Sequence, residues 1–101
     1  MIVVVTIRHP PELCLARSEY EAQGMRWIET MEDRAKQLGI TIHGAYLSTI
    51  EHTFYFVLEV DRVAAMAEFF GPPMLTHHTA RISPVINLQE AKSLTFISEA
   101  T

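Results

Sequence analysis

The sequence has a single cysteine among 101 residues, so no disulfide can form within the chain. A cytoplasmic protein is the expectation that follows. Basic runs are missing as well: eight Lys and Arg stand against twelve Asp and Glu, for a net charge of -4. A nucleic-acid surface needs clustered cations to displace counterions, so none is expected. No stretch reaches the about 18 apolar residues of a membrane span. The start, Met1-Ile2-Val3-Val4-Val5, turns polar at Thr6, too soon for a secretory leader and without its basic residues. C-x-x-C, H-E-x-x-H, H-x-x-x-H and G-x-S-x-G are all missing, so fingers, zincins and the hydrolase elbow have no support. Nothing marks a nucleotide or flavin. Gly71-Pro72-Pro73 reads as a helix stop, not a phosphate loop.

What remains is an ordinary globular composition, 49% hydrophobic and 20% charged. We expect one domain over residues 1–88 and a tail over 89–101. Residues 2–8 (IVVVTIR) are β-branched and predict a buried strand, stopped by Pro10-Pro11. Ser18, with Glu21 three residues on, forms a capping box for a helix to Leu38. Ala22, Met25, Ile28, Met31, Ala35 and Leu38 step by three or four and predict its buried face, with Gly39 as the stop. Trp27 reads as a core or interface residue. Strands follow at 40–48 and 52–60, joined by a turn too short for a crossover, so they are antiparallel. Asp61 caps a helix over 62–70, and residues 80–87 form a fourth strand. Pro84 makes that strand an edge or a bulge. The order β-α-β-β-α-β predicts an α+β, ferredoxin-like fold with sheet order 4-1-3-2 and both helices on one face.

That topology gathers histidines. The end of the first strand lies beside the starts of the third and fourth, at His9, His52 and His77-His78. Alternation puts His9 with Val3, Val5 and Ile7, His52 with Phe54, Phe56 and Leu58, and His78 with Ala80 and Ile82. All three imidazoles then project from the helix-covered face at one end, with Cys14 in the connection leaving it. His77 has the opposite parity and reads as a spectator. Neutral imidazoles and a thiolate are the donors that zinc, copper and nickel take. The expected metal ligands are therefore His9, Cys14, His52 and His78. Histidines hydrogen-bonded to turns, with a small buried cysteine, fit the same pattern.

The opposite face carries Thr6, Arg8, Thr41, His43, Thr53, Tyr55, Val57, Glu59, Arg81 and Ser83. Arg8, Arg81 and Glu59 are candidates for pairing across strands. His43 and Tyr55 are candidates for proton donor and acceptor at a small-molecule ligand, in a site made with Glu59 and Arg81. A solvated sheet face or a polar dimer seam gives the same residues.

The β-α-β-β-α-β pattern over residues 1–88, with a short tail, resembles the dimeric α+β barrel superfamily. That group includes muconolactone isomerases and antibiotic-biosynthesis-type monooxygenases. The stretches HPPELCLAR (9–17), HGAYLSTIEHTFYFVLE (43–59) and FFGPPMLTHHTARISPV (70–85) also resemble a small bacterial and archaeal family of this fold. The resemblance implies a homodimer whose two sheets close face to face, with the polar face as lining. It transfers no activity: the Asn, Trp and His set of the cofactor-free monooxygenases has no residue-by-residue match here.

Overall fold

The computed structural model describes residues 1–13, 20–76 and 78–94. β1 (Ile2–Arg8) leads into a single 3-10 turn at Pro11–Leu13, then α1 (Glu21–Leu38), β2 (Thr41–Ser48) and β3 (Thr53–Glu59). α2 (Val63–Met74), β4 (Thr79–Val85) and the short α3 (Leu88–Ala91) follow. The sheet order is β2-β3-β1-β4, which is the expected order read from the other edge, and every neighbouring pair is antiparallel. The fold is ferredoxin-like α+β.

Alternation in the two central strands builds the core. Val3, Val5 and Ile7 of β1 are fully buried, and Phe54, Phe56 and Leu58 of β3 lie beside them on the same face. Each such side chain contributes about 1.5–3 kcal/mol through burial. α2 adds Ala65, Met66, Phe69, Phe70 and Met74. α1 adds Trp27, which meets Phe56 and Phe69 edge-on and lies parallel to Phe70.

Several expectations are corrected in detail. α1 begins at Glu21 with Tyr20 at its N-cap position and no side-chain cap, later than Ser18, which lies outside the described residues. Its buried face runs through Gly24, Trp27 and Ala35, while Met25 and Ile28 are exposed. The indole Nε1–H of Trp27 donates to the Phe70 carbonyl at 2.9 Å, and burying that large ring turns the helix away from the smaller Met25–Ile28 stripe. Gly39 ends α1 as expected, at φ 71°, donating to the carbonyls of Ala35 and Lys36.

The N-cap of α2 is Arg62, not Asp61, again without a side-chain cap. Gly71 and Pro72 break the helix, but one more turn follows to Met74. β4 is an edge strand without a bulge, since its register with β1 is continuous through Pro84. Its inward positions Ala80 and Ile82 are exposed rather than covered by a helix. The bulge lies instead in β2, where His43 is an extra residue between Ile42 and Gly44.

Candidate functional site

Register places the three histidines together. β1 pairs with β3 up to Arg8–Thr53 and with β4 up to Arg8–Thr79. One more step sets His9 opposite both His52 and His78, and the His9 backbone N–H donates to the His52 carbonyl at 3.2 Å. The rings follow the backbone. The His9 centroid is 5.3 Å from that of His52 and 4.8 Å from that of His78, edge to face in both cases. Phe54 lies beneath the cluster, 6.4 Å from His9 and 5.9 Å from His78.

His9 is only 4% exposed, and neither of its ring nitrogens has a hydrogen-bond partner among the described residues. That is costly for a buried polar group, about 1–3 kcal/mol. Burial first, and then the neighbouring His52, hold its imidazole below the ordinary pKa, so it favours the neutral form. His52 sits at φ 52°, the left-handed region that few non-glycine residues adopt. The turn holds it there: Glu51 N–H donates to Ser48 Oγ and Thr53 Oγ1 donates to the Glu51 carbonyl. Backbone strain of this kind costs about 1–3 kcal/mol and clusters where a side chain must be aimed.

Cys14 and His77 lie outside the described residues. As the rings stand, no group of three or more His, Cys, Asp or Glu side chains among the described residues is arranged to hold a metal ion. The centroid spacings are nonetheless close to the about 5 Å that two imidazoles adopt on one tetrahedral ion, given Zn–N bonds of about 2.0–2.1 Å.

Beside the cluster the sheet end opens into a pocket of about 340 Å³. Arg8, His9, His52 and Thr79 line it, together with Pro10, Pro11, Ile50 and Glu51.

The four candidates on the opposite face fall into two separate pairs. His43 Nε2 lies 3.1 Å from Glu59 Oε1 at one end of β3, both side chains about half exposed. Tyr55 and Arg81 instead flank Thr6 on the same rung, further along the ladder. The expected pairing of Glu59 with Arg8 fails on register, because Glu59 stands opposite Ile2 while Arg8 is at the other end of β1. Arg81, opposite Thr6, is likewise displaced along the ladder from Glu59.

The Tyr55 hydroxyl donates to Glu51 Oε1 at 2.8 Å. That hydrogen bond, then burial and the Glu51 charge, raise the phenol above its ordinary pKa against an opposing pull from Arg8. Sequence reasoning did not single out Glu51, because it sits in a turn with no periodicity to mark it. It also missed that the bulge at His43 moves Tyr46 onto this face, opposite Tyr55. The Tyr46 ring then lies over Gly44, where an added Cβ would come within 2.7 Å of it.

No protein-family model matches the chain, and a search of curated proteins finds no match either. Among the described residues, no helix is long and apolar enough to cross a membrane.

Proposed function

We propose that this protein binds one divalent transition metal, zinc, copper or nickel, at the histidine end of its sheet. His9, His52 and His78 are the imidazole donors, and Cys14, which follows the 3-10 turn closely in sequence, is the fourth. The observation that carries this reading is the juxtaposition of three imidazoles around a buried His9 whose ring nitrogens have no hydrogen-bond partner among the described residues. Two features support it. The depressed pKa of His9 favours the unprotonated form that metals require. The backbone at His52 holds an unfavourable conformation that keeps this residue beside His9. Binding requires the rings to turn until one nitrogen of each converges on the ion. Four protein donors make a structural or sensory centre; three leave a position for water or substrate.

Titration of untagged protein with Zn²⁺ tests the assignment. We expect saturation near one equivalent, and at least about tenfold weaker binding in His52→Ala and in His78→Ala. Equal affinity in wild type and both variants would remove these residues from the site.

A second reading places a cofactor-free, barrel-type enzyme or ligand-binding site on the open sheet face, or makes that face the seam of a regulatory dimer. Its support is the pair of side-chain contacts Tyr55–Glu51 and His43–Glu59 on that face. It requires a homodimer, since only a second sheet would enclose those groups. A monomer by light scattering at micromolar concentration ends it.

A further inference from the structure

The pocket beside the histidines has a chemistry of its own. Its volume, about 340 Å³, falls at the lower end of the range for small-molecule sites, roughly 300–1,000 Å³. His9, only 4% exposed, contributes a ring with no hydrogen-bond partner among the described residues. The Arg8 guanidinium lines the same pocket; it makes no hydrogen bond or ion pair with a described residue, and its charge is felt by Tyr55. The one acidic side chain on the lining, Glu51, accepts the hydroxyl hydrogen of Tyr55 and is held by it. Ile50, also on the lining, is 92% exposed and supplies apolar surface there. Pro10 and Pro11 give the lining a stretch of rigid backbone.

We propose that this pocket binds a small organic carboxylate. The Arg8 guanidinium takes the carboxylate through its two-pronged fork. The ligand's apolar body lies between Pro10 and Ile50, and its inner edge reaches His9 and His52. The proposal rests on the preceding reading only in naming what approaches a metal held there. If the three histidines alone held it, without Cys14, such a metal would keep a fourth position for the ligand. The carboxylate contact itself needs no metal.

Benzoate and its uncharged counterpart benzamide are the probes. Backbone and Arg side-chain NMR signals of the ¹⁵N-labelled protein are followed in EDTA, and again after one equivalent of Zn²⁺. With benzoate we expect saturable shifts centred on Arg8, Ile50 and Thr79, and with benzamide at least about tenfold weaker binding, as loss of a charge-assisted hydrogen bond predicts. Arg8→Gln should lose the preference for benzoate. Because Arg8 is exposed, that variant is expected to fold. Should it not, the benzoate–benzamide comparison on wild type decides alone. In the zinc-loaded protein, benzoate binds more tightly than in EDTA. Shifts elsewhere, no saturation, equal binding of the two probes, or an unchanged preference in a folded Arg8→Gln overturns the proposal. Failure to take up zinc, with benzoate still bound at Arg8, overturns the metal reading and leaves the carboxylate site standing. Zinc uptake without any benzoate response does the reverse.

Discussion

His9 concentrates the tension between stability and function at the scale of a single residue. It continues the buried Val3-Val5-Ile7 row yet brings two ring nitrogens with no hydrogen-bond partner among the described residues. His9→Phe keeps an aromatic ring and removes both nitrogens. We expect it to raise stability in EDTA by about 1–3 kcal/mol, measured by urea unfolding, while abolishing tight metal uptake. A destabilised His9→Phe would mean that the nitrogens are satisfied and the residue is structural. The pH dependence follows from the same burial. The folded pKa lies below the ordinary 6.5, so below that value the unfolded chain takes up a proton that the folded chain refuses. His9's contribution is therefore fully present above about pH 6.5 and lost as pH falls through the folded pKa. Wild type should lose more stability than His9→Phe between about pH 7.5 and 5.5. Residue types and strand parity were enough to pick out His9, His52 and His78. The left-handed backbone of His52 was not readable, because it arises from turn hydrogen bonds that follow no periodic pattern.

At the scale of elements, strands declared themselves more clearly than helix faces. β1 and β3 are dense in β-branched and aromatic residues, and each ends within one residue of its expected bounds. Of the face expected for α1, Ala35 is buried and Met31 and Leu38 pack against the core, but Met25 and Ile28 are exposed, and Trp27, through its contacts with Phe56, Phe69 and Phe70, is buried in their place. The bulge in β2 was hidden because Ile42-His43-Gly44-Ala45 shows no break in pattern. Trp27→Phe removes the donor to the Phe70 carbonyl and shrinks the ring over which the Arg34 guanidinium lies, 4.8 Å from the centroid. We expect a loss of about 1–3 kcal/mol. Gly39→Ala places a Cβ at φ 71°, where steric conflict with its own backbone costs about 1–2 kcal/mol even though the space around it is open. Both are read from urea midpoints at unchanged slope; no shift in the first would mean that Trp27 merely fills space.

For the whole molecule, connectivity does most of the work. A β-α-β-β-α-β chain in this sheet order must bring the end of β1 beside the starts of β3 and β4. Any residues at those three points become neighbours, which is why the proximity of His9, His52 and His78 could be anticipated without a local motif. What topology does not set is ring orientation, or how a pocket forms where the sheet ends. Connectivity alone therefore does not place Arg8 and Glu51 in the pocket that they line. The metal reading is also the most exposed to test. Untagged protein, purified without chelator and analysed for every first-row transition metal, should carry or take up about one equivalent per chain. Less than about a tenth of an equivalent of each metal, with no tight uptake on titration, would contradict it.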